Sequence, residues 1–248
     1  MNSYISIELD RDFDKSLFQI AALYSYSEKC YKKITIHKQN TFIQESKLFE
    51  EFELEDYYYH YDTDSMSKII PYGKNIMLKG IFINFKIHND SVLDNMRYFM
   101  YSNEDYMYAA YNKYNKIKDF FGITNDEDMV SIYFDDNNQQ ENNLAYYKKS
   151  IIIMNKNNFV IFSQDAEHLM KVFEEDHNVY VVWDDNIYIR FILLSFFQHN
   201  IVQFYKPYFS LWAAYISKYE SLKNVIIPDY VKRIVNANIN NLNIISLE

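Results

Sequence analysis

The second half of the chain repeats one pattern, in which the short apolar segments DMVSIYF, NFVIFS, NVYVVW, HNIVQF and NVIIP are separated by stretches long enough for a helix. Leu144, Tyr147 and Ile151 recur with helical spacing in one of those stretches, and Trp212, Tyr215, Ile216 and Tyr219 in another, each set forming one apolar face. Strands that alternate with helices predict a parallel sheet covered by helices on both faces. The first half carries the same signal less regularly. YISIEL (Tyr4 to Leu9) alternates as a strand, Leu17, Ile20, Ala21 and Tyr24 follow with helical spacing, and KKITIH (Lys32 to His37) and MLKGIFI (Met77 to Ile83) read as further strands. A helix is predicted from Val92 to Lys116. Gly122 and the acidic run TNDED interrupt the pattern between Phe120 and Asn125, which divides the chain into domains 1–121 and 122–248.

Composition excludes several classes of function. Hydrophobic residues make up 49 % and aromatic residues 19 %, more than a chain without a packed core carries. The longest apolar run, Ile187 to Phe197, is interrupted by Arg190 and is too short for a membrane span. The start, MNSYISIELDRD, lacks the basic and apolar regions of a secretory signal, so a cytoplasmic location is expected. One cysteine, Cys30, rules out an intrachain disulfide and reads as a packing residue. Acidic side chains outnumber basic ones 34 to 25, and the arginines are Arg11, Arg97, Arg190 and Arg233 alone. Nucleic acid is therefore not an expected partner, because affinity for a phosphate backbone comes from clustered cations. Gly73, Gly80 and Gly122 are too scattered to form a phosphate-cradling loop, and no cofactor is implied.

Several segments, taken in chain order, resemble the α1,2-fucosyltransferases of glycosyltransferase family 11. DKSLFQIAALYSYSEK (Asp14 to Lys29) is similar to the family's GNQLFQYA helix through Leu17, Phe18, Gln19 and Ala21, and LKGIFINFK (Leu78 to Lys86) to its LxGYFQSxK. VSIYFDDNNQ (Val130 to Gln139) stands where the family has VSIHIRRGDY, and YYKKSI (Tyr146 to Ile151) resembles the YYxxAI that follows. FSQDAEHL (Phe162 to Leu169) resembles FSDDIEW, HNIVQ and FSLWAAY together resemble HNIIANSSFSWWGAY, and VIIPDYV (Val225 to Val231) resembles VIxPxxW. The matches are collinear over residues 4 to 231. The resemblance implies an α/β, GT-B-like architecture of two facing Rossmann-like domains with mostly parallel sheets. It further implies an acceptor side in 1–121, a nucleotide-sugar donor side in 122–248, and no required metal.

The departures fall on the chemistry. The arginines of RRGDY face the donor diphosphate in the family, a task that suits the planar bidentate guanidinium; here those positions are Asp135 and Asp136, and the preceding His is Tyr133. The turn GGLGNQ is replaced by Arg11-Asp-Phe-Asp-Lys-Ser16, and the Asn-Ser-Ser before FSWW by Phe204-Tyr-Lys-Pro-Tyr208, although Ser210 and Trp212 remain. Apolar positions persist while polar site positions have changed.

Each candidate residue has a second reading. Ser163, Asp165 and Glu167 lie in the FSDD-like segment, where acids contact a nucleotide or stabilise a helix amino end. Lys206 is the remaining cation in the site loop, or one exposed lysine, and Trp212 lies on an apolar helical face. Asp135 and Asp136 form either a solvated loop or, with Asn137, Asn138 and Glu141, oxygen ligands; no metal is expected. Tyr57, Tyr58 and Tyr59 open a run of rings suited to a sugar face or a protein partner. Two functions follow: a glycosyltransferase-like protein of the α1,2-fucosyltransferase type, inverting if active and not using GDP-fucose in the usual way, or an inactive relative that binds a glycan or a partner protein. The expected ligands are a nucleotide sugar or a glycan.

Overall fold

The structure is a computed structural model describing residues 4–7, 9–35, 59–61, 76–78, 90–134, 142–217, 222–235 and 242–247, with backbone alone for 59–61, 76, 77, 142 and 143. The chain divides into two compact units, Met1–Asn103 and Glu104–Glu248.

In the first unit the described elements are β1 (Tyr4–Ile7), α1 (Phe13–Cys30), β2 (Lys33–Ile34), β3 (Tyr59–Tyr61), β4 (Ile76–Leu78) and α2 (Asp90–Tyr101). The strands lie in the order β2-β1-β4-β3, and every pair is parallel. Asp12 caps α1 by accepting the Asp14 N–H at 3.1 Å, and the helix ends where Tyr31 turns left-handed (φ 53) and the Lys32 N–H reaches Ser27 O at 3.1 Å. The helix expected over 92–116 is two helices, α2 and α3 (Glu104–Phe121). Ser102 ends the first by donating its hydroxyl to Phe99 O at 2.9 Å, and Glu104 with Asp105 supplies the negative first turn of the second.

The second unit starts with α3 and continues through β5 (Met129–Tyr133), α4 (Asn142–Met154), β6 (Asn158–Phe162), α5 (Glu167–Met170), β7 (Asn178–Val182), α6 (Ile187–Ser195), β8 (His199–Ile201), α7 (Tyr208–Ile216), β9 (Lys223–Pro228) and β10 (Leu242–Leu247). Gly122 closes α3 at φ +63, a conformation a Cβ disfavours, with its N–H on Asp119 O at 3.2 Å. Tyr114 packs α3 onto the end of α6, its ring meeting Phe196 and Phe197 edge-on at 5.5 and 5.3 Å. Strand β10 was not among the expected strands; its six residues follow an asparagine-rich stretch that breaks the apolar signal.

The six described strands of this unit are all parallel and run in the order β10-β9-β8-β5-β6-β7. Alternation along β5 sends its side chains to opposite faces. Val130 and Ile132 join Phe134 in one core cluster with Tyr146, Tyr147, Ile151 and Met154 of α4. Ser131 and Tyr133 face the other layer, where Ser131 Oγ donates to Asn200 Oδ1 at 2.7 Å and the Tyr133 ring lies 4.8 Å from that of Phe209 in α7. No described helix is long and apolar enough to cross a membrane.

Candidate functional site

Strand order locates the site before any side chain is considered. From the centre of the second sheet, β5, β6 and β7 proceed outward to one side and β8, β9 and β10 to the other. The connections leaving β5 and β8 therefore depart in opposite directions, and open α/β sheets bind their ligands in the crevice at the carboxyl ends of strands at such a switch point.

The described rims of that crevice are held by side chains from other elements. Tyr147 of α4 bridges them: its hydroxyl donates to Tyr133 O at the end of β5 (3.4 Å) and accepts the Phe204 N–H beyond β8 (3.3 Å). Tyr146 beside it donates its hydroxyl between Val202 O (2.9 Å) and Ile226 O (3.1 Å). Burial raises both phenols above their usual pKa, so they remain protonated donors. Tyr230 donates to Phe204 O, and the Gln203 N–H is taken by Ser210 Oγ at 3.1 Å. Residues 203–207 thus form a loop fixed in advance rather than one waiting for a ligand to order it.

The residues singled out from sequence fall into three groups. Tyr133, Ser210, Trp212 and Lys206 lie at or beside the switch point: Tyr133 is buried against Phe209, Ser210 is buried with its hydroxyl holding the loop, Trp212 is fully buried in α7, and Lys206 is exposed on the loop itself. Ser163, Asp165 and Glu167 follow β6. Ser163 Oγ donates to Asp165 O at 2.7 Å and accepts the Asp165 N–H, while the Asp165 carboxylate accepts the Glu167 N–H at 3.0 Å, so these groups brace the entry to α5. Asp135, Asp136, Tyr57 and Tyr58 lie outside the described residues, and Tyr59 contributes backbone to β3. In the first unit the Arg11-to-Ser16 turn is also closed on itself. Gln19 Oε1 accepts the Asp10 N–H at 2.7 Å, Ser16 Oγ donates to Asp10 O at 2.6 Å, and Lys15 lies 3.8 Å from both Asp10 and Asp12.

Sequence reasoning passed over Arg190. Its guanidinium lies 3.8 Å from the Trp183 ring centre, 5.7 Å from Phe209 and 6.0 Å from Tyr133, which places a buried cation at the switch point. The available signal was the lone charge inside the apolar run Ile187 to Phe197. Neither tyrosine hydroxyl of YYKKSI was assigned a role, because nothing local shows that they reach main chain far along the sequence.

His199 opens β8, buried, with Nδ1 accepting the Asn224 N–H at 3.2 Å. Its pKa is lowered from 6.5, chiefly by burial and then by Lys156, with Glu127 and Asp128 opposing. An unfolded histidine therefore takes up a proton at a pH where the folded one does not, and stability rises with pH across that window. We expect His199 to contribute fully above pH 6.5 and to lose its contribution as pH falls through the lowered folded value. Chemical denaturation of wild type and His199→Gln between about pH 7.5 and 5 checks this; the glutamine variant should lack the decline, and parallel curves would refute it.

No protein-family model matches the chain, and no curated protein sequence matches it. Solved structures do match. Fucosyltransferase NodZ from Bradyrhizobium is similar at a TM-score of 0.59 and 10 % identity, over 87 % of this chain and 94 % of that one. The fold is fucosyltransferase-like. NodZ α-1,6-fucosyltransferase co-crystallized with GDP is similar at a TM-score of 0.58 and 10 % identity, over 87 % of this chain and 93 % of that one. The architecture is accordingly α/β and GT-B-like, with parallel sheets in both units. At this identity the likeness is one of fold, and the chemistry has to be argued from the residues.

Proposed function

We propose that the chain is a glycosyltransferase-like protein of glycan assembly, of the α1,2-fucosyltransferase type, with a nucleotide sugar taken by the second unit and the acceptor by the first. The observation that carries this reading is the switch point between β5 and β8, with rims already tied by Tyr147 and Ser210, in a fold shared with a fucosyltransferase co-crystallized with GDP. The collinear motifs over residues 4 to 231 support the α1,2 type. Transfer would be inverting: an acceptor hydroxyl attacks the anomeric carbon, the glycosidic bond to phosphate breaks with its electron pair on the nucleoside diphosphate, and the hydroxyl proton leaves to a base. Asp135 and Asp136, in place of paired arginines, argue that GDP-fucose is not held in the usual way.

Titration calorimetry with GDP, UDP, ADP and GDP-fucose tests the reading on the full chain. The expected result is saturable binding of at least one nucleoside diphosphate. Silence across the panel removes it and leaves the second reading, an inactive relative that binds a glycan or a protein partner. That alternative draws support from Ser163, Asp165 and Ser210, whose polar atoms are already engaged by the chain's own backbone.

A further inference from the structure

Resting on the nucleotide-sugar reading above, we propose that Arg190 grips the diphosphate of the donor, a cation supplied from α6 where the end of β5 no longer offers one. Arg190 is only 8 % exposed, and its Nε has no hydrogen-bond partner among the described residues. Nη1 donates to the main-chain Asp184 O at 3.3 Å. No described carboxylate forms an ion pair with it, although two stand beside it in sequence. Asp184 is engaged by Lys113 at 3.1 Å and by the Asn186 N–H at 2.8 Å, and Asp185 accepts from the Trp183 indole at 3.2 Å. These two described carboxylates are directed elsewhere.

Position makes a charge that is unpaired among the described residues costlier. Arg190 is the fourth residue of α6, in the first turn, where the helix dipole disfavours a cation. A buried guanidinium lacking a counter-ion destabilises a fold unless an anion completes it. The rings of Trp183, Phe209 and Tyr133 limit where the guanidinium can go, and favourable contact with their faces accounts for its burial in the meantime. A diphosphate fits because planar N–H donors match phosphate oxygens two at a time. The location is the switch point itself, at the end of β5 and beside the amino end of α7, whose dipole also favours an anion.

The test measures binding of GDP, guanosine and inorganic pyrophosphate by calorimetry to the full-length wild type, Arg190→Met and Arg190→Lys. Methionine keeps the stem and removes the charge. Arg190→Met should bind GDP and pyrophosphate at least tenfold more weakly, with guanosine unaffected, and its melting temperature without ligand should equal or exceed that of wild type. Arg190→Lys should fall between them, and it carries the test if the methionine variant does not fold. GDP binding at wild-type affinity by a folded Arg190→Met overturns the assignment while leaving the nucleotide reading intact. With UDP and ADP added for the wild type, Arg190-dependent binding of pyrophosphate with no nucleotide bound upholds the anion site and removes the nucleotide reading; wild-type silence toward pyrophosphate and every nucleotide overturns both. A sharp drop in ligand-free melting temperature of Arg190→Met, without change in pyrophosphate affinity, would show that the guanidinium serves a carboxylate of the chain instead.

Discussion

Asp135→Arg combined with Asp136→Arg is expected to raise the affinity for GDP by at least about tenfold. The two residues directly follow Tyr133-Phe134 in the sequence, and Tyr133 is the last residue of the central strand β5, one of the two strands of the switch point. A carboxylate about 6 Å from a phosphate opposes it by roughly 3 kcal/mol at an effective dielectric of about 20, and a guanidinium there attracts it by the same amount. Exposure and salt reduce these figures considerably, yet tenfold needs only about 1.4 kcal/mol. Calorimetry at two ionic strengths provides the check: the gain should shrink at high salt. An affinity equal to that of wild type would mean that these positions do not face the diphosphate, and the alignment of VSIYFDDNNQ with VSIHIRRGDY would be lost with it.

Trp212→Ala is the second large effect, and it should appear in stability rather than in ligand affinity. Trp212 is fully buried, and every residue of α7 from Phe209 to Ile216 is buried around it. Truncating a buried tryptophan costs about 3–5 kcal/mol through lost burial and the cavity left behind. For a unit of this size that corresponds to a melting temperature lower by roughly 10 °C or more. GDP affinity measured at low temperature, where the variant is still folded, should stay within about threefold of wild type. A variant that melts normally but loses GDP would return Trp212 to the ligand and refute the core assignment.

Fold and site differ in how much of each the sequence discloses. Val130, Ile132 and Phe134 advertise a strand because burial against α4 demands apolar side chains at a period of two, and that demand is local. Residues 208–216 likewise announce a helix. The break at Ser102-Asn103 was missed because two abutting amphipathic helices leave almost the same periodicity as one, and the serine's back-bond to Phe99 marks where the first one ends. Among site residues, Ser163, Asp165 and Ser210 were noticed for being polar in a motif, and all three hold main chain. Arg190 was set aside as an interruption of an apolar run, because a pattern of hydropathy does not show what a single charge faces.

By itself, the sequence determined the alternation of strand and helix, the parallel sheet this entails, the apolar faces, and the reversal of charge at residues 135 and 136. Each of these depends on neighbours a few positions apart, where side-chain periodicity and chain stiffness act directly. Tertiary structure alone decided which strand ends meet. The order β10-β9-β8-β5-β6-β7 brings Tyr133 beside Phe209, joins Tyr147 to both Tyr133 and Phe204, and sets Arg190 against rings from three different segments. Those contacts span tens of residues, and their energy comes from burial and hydrogen bonding completed only when the sheet has closed. For that reason the crevice, unlike the strands that frame it, had no local signature to read.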